Sequence, residues 1–270
     1  MKVIIYLFIG VFTINIAISQ TNNQKKDSVI NYLDINKKKQ GKWVKPYDNG
    51  KTAYEAFFIN DIPVGEYKRY YYNGKLKAKI NYSKDNSGKG KAVLYWDNGV
   101  KMAEGNYINI NVKDGIWKMY GIDGALMVKI TYSNGKKNGE EIKYFRNHNP
   151  SEIITWKNDV KNGVWRQFYE DGKTRLETLY KNGYREGVFQ MFYETGRYYV
   201  KGNYHLDLRD GKWDYYDKSG KVWKTIEYDF GKPLNEAELG LELSKQLDKW
   251  EKERGTIPEP TLENMMNGGR

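Results

Sequence analysis

The chain has 270 residues, no cysteine and two histidines, and its 45 basic residues outnumber 34 acidic ones, which gives a formal net charge of +11. The mean hydropathy of −0.83 excludes a helical membrane protein with several spans, and the missing thiol excludes disulfide and zinc–cysteine chemistry. With 27 glycines, six prolines and 15% aromatic residues, the composition is typical of neither a disordered nor a collagen-like chain. We therefore expect a folded protein.

Residues 1–19 have the features of a secretory signal peptide. Lys2 is followed by a mostly apolar run without an acidic residue, and Ala17 and Ser19 are small residues at positions −3 and −1 of a cleavage site. The run is shorter than the roughly 20 residues that span a bilayer, which disfavours a membrane anchor. We predict cleavage before Gln20 and, because no cysteine is present for lipid attachment, a mature chain that is periplasmic or secreted.

The charge of the mature chain is unevenly distributed. Removal of the signal leaves +10, and the residues from 235 onward carry eight acidic and five basic side chains, so the preceding body has a net charge of +13. Such asymmetry favours an anionic partner, although lysines also solubilise a surface and protect sheet edges. The lead of residues 20–40 is polar and is predicted to be flexible, with a short strand around residues 29–33.

Glycines recur every 24 or 25 residues and define eight units. The opening glycines are Gly41, Gly65, Gly90, Gly115, Gly139, Gly163, Gly187 and Gly211. Nine residues after each of them stands a second glycine, except in the fifth unit, and five of the eight sites read Asn-Gly or Asp-Gly. This dipeptide favours a type I′ turn, in which both central residues have positive φ. Each unit is therefore predicted to be a β-hairpin.

Three columns of mostly aromatic residues run through the units. The first is Phe58, Tyr82, Tyr107, Tyr132, Trp156, Tyr180, Tyr204 and Tyr228; the second is Trp43, Tyr67, Ala92, Trp117, Glu141, Trp165, Phe189 and Trp213; the third is Tyr70, Tyr95, Tyr120, Tyr144, Phe168, Phe192 and Tyr216. Residues at even spacing share a strand face, so we expect the first column to be buried. The second and third columns are three residues apart, which means that both faces are aromatic or that a bulge intervenes.

The fifth unit departs from the pattern. Glu141 replaces the aromatic residue of the second column, His148 replaces the turn glycine, and Pro150 follows soon after. We predict that Glu141 is charged and in contact with water, that this hairpin turns differently, and that the array is kinked there.

The spacing Gly-x-Trp-x-x-Tyr-Tyr, followed by Asn/Asp-Gly-Lys, resembles the MORN-repeat variant family. It is visible in residues 65–76 and 163–173, and the resemblance covers roughly 41–234. It implies an all-β fold in which about eight tandem hairpins form an extended antiparallel sheet. Exported bacterial proteins that resemble this one often carry the label antitoxin of a toxin–antitoxin system, so the resemblance implies an antitoxin-like role.

A helix is predicted after the repeats, over residues 235–254. Asn235 can cap it, acidic residues fill its first turn, and apolar residues follow at spacings of four, four and three, namely Leu239, Leu243, Leu247 and Trp250. The helix either caps the last hairpin or docks a partner, and we favour the cap. Residues 255–270 are predicted to be a disordered tail.

The chemistry of the chain favours binding over catalysis. A catalytic triad would need His148 or His205, and a turn position and a strand end already explain these residues. No metal or cofactor motif is present, so we expect no enzyme, no metal and no cofactor. We predict a protein-interaction or scaffold surface, with the outward lysines Lys75, Lys77 and Lys79 as partner-binding candidates. The alternative is association with anionic envelope lipid or polysaccharide; export argues against nucleic acid.

Overall fold

The structure is a computed structural model that describes residues 29–234 together with Asp248 and Lys252. The predicted signal peptide, residues 20–28 of the predicted lead, and the predicted tail lie outside the described residues, as do all but two residues of the predicted helix. Within the described part, no helix has the length and apolar character needed to cross a membrane.

The described chain forms 18 antiparallel strands in one sheet. The strands are β1 (Tyr32–Leu33), β2 (Lys39–Pro46), β3 (Thr52–Ile59), β4 (Ile62–Tyr70), β5 (Leu76–Tyr82), β6 (Gly90–Tyr95), β7 (Lys101–Ile108), β8 (Val112–Tyr120), β9 (Leu126–Ser133), β10 (Lys136–Tyr144), β11 (Pro150–Lys157), β12 (Val160–Phe168), β13 (Thr174–Lys181), β14 (Tyr184–Phe192), β15 (Tyr198–His205), β16 (Leu208–Tyr216), β17 (Val222–Asp229) and β18 (Lys232–Pro233).

Each strand pairs with its neighbours along the chain, from β1–β2 through to β17–β18. The sheet is therefore an open meander in which two successive strands make one unit of the sequence repeat. The predicted all-β fold, an extended antiparallel sheet of tandem hairpins, is confirmed.

The loops at the Asn-Gly sites are not type I′ turns. In the first unit, Gly50 donates its N–H to the Tyr47 carbonyl over 3.1 Å, and Tyr47 donates to the Lys51 carbonyl over 2.7 Å. Gly50 has a φ of +79°, whereas the preceding Asn49 is not among the residues with positive φ. A type I′ turn needs positive φ at both positions, so that assignment was wrong. These loops have a glycine in the left-handed region beside a shift in strand register, as in a bulged hairpin.

The two-residue turns with positive φ at both positions lie at the opposite ends of the strands, along the side of the sheet where one unit joins the next. They are Asn60-Asp61, Asn134-Gly135, Asn158-Asp159, Asn182-Gly183, Leu206-Asp207 and Phe230-Gly231, whereas the turn between β7 and β8 has three residues, 109–111, of which the first two have positive φ. Two-residue hairpin loops favour type I′ geometry because its twist matches that of the strands. We call this the joining edge; between β5 and β6 it carries a longer loop, residues 83–89.

The fifth unit turns in the same way as the others. His148 has a φ of +69° and donates its N–H to the Phe145 carbonyl over 3.0 Å, and Phe145 donates to the Asn149 carbonyl over 2.9 Å. Pro150 begins β11, and β10 remains paired with it. The prediction of a different turn was wrong, because histidine can adopt the left-handed conformation that glycine adopts elsewhere.

The two faces of the sheet differ in burial. On β8, Trp117 and Met119 are buried, and Ile116 and Lys118 are exposed. We call the face of Trp117 the inner face and that of Lys118 the outer face. Tyr120 lies on the outer face, since its hydroxyl donates to the Glu104 carboxylate over 2.6 Å and Glu104 is opposite Lys118. Both faces are thus aromatic, and a register shift also occurs beside Tyr120.

The inner face holds two separate apolar clusters. One extends from Ala78 to Tyr132 and the other from Ile154 to Tyr228. Strand β10 of the fifth unit lies between them, and Glu141 of that strand is only 2% exposed. The prediction that Glu141 contacts water was wrong, because neighbouring strands enclose the second column even where its member is charged.

Candidate functional site

A column of basic residues runs along the inner face, two residues before the opening glycines. Its members are Lys39, Lys113, Lys137, Lys161, Arg185 and Arg209, while Pro63 and Gly88 occupy the position in the second and third units. Sequence analysis missed this cation column, although a basic residue at one fixed position in six of eight units is a readable signal. Even spacing places each cation on the same strand face as the second column of aromatic residues.

Each cation lies against aromatic rings of the inner face. Lys113 Nζ is 5.1 Å from the ring centroid of Trp117 and 4.8 Å from that of Tyr132. The Arg185 guanidinium lies 3.9 Å from the Tyr204 ring, the shortest of these contacts. Lys39, Lys137, Lys161 and Arg209 make the same kind of contact. Cation–π attraction therefore stabilises the column where its charges leave bulk water.

Aspartates of the joining edge contact three members of the column. In each case the aspartate is the second residue of the turn that follows the cation by 22 residues. Its carboxylate accepts a hydrogen bond from the backbone N–H of the cation over 2.7 to 2.8 Å. The pairs are Lys39 with Asp61, Lys137 with Asp159, and Arg185 with Asp207. The last carboxylate also accepts a hydrogen bond from Arg185 Nε over 2.9 Å. One aspartate thus satisfies a backbone donor of the preceding unit and places negative charge beside its cation.

Arg209 obtains a carboxylate from outside the repeats. The corresponding turn carries Gly231, which has no side chain to offer. Asp248 Oδ1 lies 3.2 Å from Arg209 Nη2, and Arg209 Nη1 donates to the Tyr228 hydroxyl over 3.1 Å. The Arg209 side chain is 8% exposed, so this pair is largely withdrawn from water on the arginine side.

Lys113 and Lys161 have no such carboxylate. Their turns carry Gly135 and Gly183, and within the described part of the chain neither ammonium group forms an ion pair. Burial, followed by the charge of Lys137, lowers the pKa of Lys113 to about 8. Burial is also the main cause that lowers the pKa of Lys161. Burial disfavours the charged form of an ammonium group, and at Lys161 it outweighs the attraction of Glu152, Glu141 and Asp207, which acts in the opposite direction.

The fifth unit contributes a buried ionic cluster formed by Lys137, Glu141, Lys143 and Glu152. Lys137 Nζ lies 3.0 Å from Glu141 Oε2, and Lys143 Nζ lies 2.7 Å from Glu152 Oε2. Trp165 Nε1 donates to Glu152 Oε1 over 2.6 Å. Both carboxylates are therefore neutralised where the two apolar clusters meet.

Comparison with known families identifies the repeat. The model of the MORN repeat variant matches residues 63–84, 161–182 and 209–229. These segments cover β4–β5, β12–β13 and β16–β17, so each match spans one strand pair. The chain carries MORN variant repeats. No curated protein matches the chain.

The lysines predicted as partner-binding candidates lie in the second MORN repeat. Lys77 and Lys79 are on the outer face of β5, opposite the buried Ala78, and Lys75 precedes the strand. Each has a neighbour: Lys75 Nζ is 3.6 Å from Asp97 Oδ1, Lys77 Nζ is 4.9 Å from the Tyr71 ring, and Lys79 Nζ is 2.5 Å from Glu66 Oε2. The structure thus places two of them together on one strand, with their charge partly compensated.

The two histidines lie apart in the MORN array. His148 occupies a loop, and His205 ends β15, with its Nδ1 3.2 Å from Glu186 Oε1 and its ring against Phe230. Within the described residues no hydroxyl group bonds to His205, and no cluster of three or more histidine or acidic side chains could hold a metal ion.

Proposed function

We propose that the mature chain, after export, is a non-catalytic binding array that holds a partner protein on its outer face. The observation that supports this most is that the outer face is continuous over the repeats, whereas its cross-strand pairs differ from unit to unit. The pairs are Lys68–Lys79, Lys118–Lys129, Arg166–Glu177, Gln190–Lys201 and Asp214–Thr225. A repeat sheet of this kind offers an extended surface on which each unit contributes a different contact.

The composition of the outer face suits a protein partner. Ile116, Leu179 and Val188 are each 45 to 48% exposed and lie among charged residues. Apolar side chains inside a polar rim are typical of protein interfaces. The aromatic residues of the first two columns are largely buried on the inner face, so outward side chains are the ones available for recognition.

Affinity capture from the native envelope fraction, followed by mass spectrometry, tests the proposal. We expect the double variant His148→Ala/His205→Ala to capture the same partner as the parent protein, since His148 lies in a loop and His205 lies at the end of β15 beside Glu186. Changing Lys75, Lys77 and Lys79 to glutamate should weaken the capture of an anionic partner. Loss of capture in the histidine variant, with unchanged folding, would contradict a non-catalytic array and favour an enzyme.

A second candidate is association with anionic lipid or polysaccharide. It is favoured by Lys118 and Lys129, which lie directly opposite each other although like charges at such positions are destabilising. Salt distinguishes the candidates, because screening weakens binding by exposed charges more than binding by apolar contacts. The antitoxin-like role implied by resemblance stays a prediction.

Export is the premise of both candidates and has its own test. We expect cleavage between Ser19 and Gln20, because the apolar run is short and small residues occupy the cleavage positions. N-terminal sequencing of the exported protein should begin at Gln20. A mature chain that retains Met1 would indicate an anchor and would overturn the proposed compartment.

A further inference from the structure

Four members of the cation column have an aspartate beside them, and the two members that lack one suggest a site for a ligand. Lys39, Lys137 and Arg185 each have an aspartate of the next turn at their backbone N–H, and Arg209 has Asp248 at its guanidinium. Lys113 and Lys161 belong to the same column, and their turns carry glycine. The turns of the repeat therefore place a carboxylate at three of these cations, Asp248 supplies one at Arg209, and Lys113 and Lys161 have neither.

The turns beside these two lysines are open. A Cβ placed on Gly135 would meet only Val112 Cγ1 within 4 Å, at 3.2 Å, and one on Gly183 would meet only Val160 Cγ1, at 3.4 Å. Lys113 and Lys161 are partly exposed, in contrast to the buried Lys137. A side chain from another polypeptide can therefore approach from the joining edge.

Asp248 shows what kind of group occupies such a position. It lies beyond the last repeat, yet its carboxylate lies beside the Arg209 guanidinium as that of Asp207 lies beside the Arg185 guanidinium. A charge-assisted hydrogen bond is among the stronger ones, and a carboxylate beside a desolvated ammonium group removes the penalty of leaving that charge unpaired. The precedent within this chain is a peptide carboxylate, which favours an acidic polypeptide over a lipid or polysaccharide.

We propose that Lys113 and Lys161 are binding positions for carboxylate side chains of an acidic peptide segment that extends from the partner protein on the outer face around the joining edge, an inference that rests on the proposed function. The two lysines begin β8 and β12, which are four strands apart. At about 4.8 Å per strand the positions are about 19 Å apart, so an extended segment would reach both with acidic residues about six positions apart.

The test uses the mature protein and labelled poly-L-aspartate as the probe. The variant Gly135→Asp/Gly183→Asp should supply the two carboxylates from the chain itself and compete with the probe. Aspartate fits these turns, since Asp61, Asp159 and Asp207 occupy the same position with φ of 68 to 69°. We expect the affinity for poly-L-aspartate to fall by about tenfold or more, which corresponds to losing about one charge-assisted contact.

A matched control variant has the same change in net charge as the test variant, at positions away from the two lysines. Gly172→Asp/Gly196→Asp adds the same two acids at left-handed glycines of the opposite edge, where nothing lies within 4 Å of an added Cβ. We expect this variant to bind nearly as the parent does. As a second route, Lys113→Met/Lys161→Met should lose binding, whereas Lys118→Met/Lys129→Met on the outer face should retain it.

The outcomes separate this inference from the proposed function. Equal losses in the test and control variants, or no loss in either test variant, would overturn the two positions even if the parent captures a partner protein. Failure of the parent to capture any protein would instead overturn the proposed function. Tighter binding of polygalacturonate at the same two lysines would overturn the peptide and assign the positions to an acidic polysaccharide.

Discussion

Replacing Gly202 with alanine should destabilise the array by about 3 kcal/mol or more, because the added methyl group has no space. A Cβ on Gly202 would lie 2.3 Å from Cδ2 and 2.4 Å from Cε2 of Trp213. This indole is fully buried, donates Nε1–H to the Asn203 carbonyl over 3.1 Å, and packs 5.2 Å from the Phe189 ring. The ring therefore cannot move aside without losing these contacts. Denaturant unfolding of the variant and its parent gives the difference.

Gly196→Ala is the control for this prediction. Gly196 has a φ of +83° and nothing within 4 Å of an added Cβ, so alanine there should cost only about 1 to 2 kcal/mol of left-handed strain. The double variant Gly202→Ala/Trp213→Leu should lose less than the sum of its single changes, since residues in contact couple. Similar losses at positions 196 and 202, or strict additivity with Trp213, would contradict the packing of this indole on Gly202.

Glu141→Ala should destabilise the protein by about 3 to 5 kcal/mol, because it removes the carboxylate that lies 3.0 Å from the buried Lys137 ammonium group. The Lys137 side chain is 8% exposed and that of Glu141 is 2% exposed. Trp165→Ala, which removes a buried ring, should cost a similar amount. The predicted water contact of Glu141 implied a smaller cost at this position than at Trp165, and burial of Glu141 removes that difference. Unfolding midpoints of the two variants test this.

Glu140→Ala is the matched control for Glu141→Ala, because Glu140 is the preceding residue and its carboxylate is exposed on the outer face. We expect it to change stability by no more than about 0.5 kcal/mol. Replacing the whole pair, in Glu141→Leu/Lys137→Met, should recover most of the loss, because no unpaired charge remains in the interior. If Glu141→Ala unfolds at the same denaturant concentration as Glu140→Ala, the buried pair does not stabilise the array.

Several features followed from local sequence. The recurring glycines located the loops, and the alternation on strands such as Ala78-Lys79-Ile80 assigned the inner and outer faces, because side chains of a strand alternate between its faces. The left-handed glycine was also predictable in the Asn-Gly loops. The type of turn was not, since Asn49-Gly50 fits two loop geometries, and the strand register beside Pro46 selects between them.

The candidate site was less predictable because its residues meet across strands. A basic residue two positions before the opening glycine is visible in the sequence, but its contacts are not: Arg185 meets Asp207 only because adjacent units stack in register. Asp248 is further still from Arg209 in sequence, and no repeat pattern connects them. Burial of Glu141 likewise depends on the strands on either side of it.

The sequence by itself determined the period, the hairpins and the face on which each side chain lies, because these depend on residues within one strand and one loop. The tertiary structure alone decided that the turn of one unit meets the cation of the preceding unit and which charges are buried, because those properties depend on groups that register brings together from neighbouring units. Lys113 and Lys137 occupy the same position of the repeat, yet only Lys137 faces an aspartate, at Asp159 of the next turn. The difference lies in the turn residue, Gly135 against Asp159, and stacking gives it an effect by placing one unit's turn beside another unit's strand.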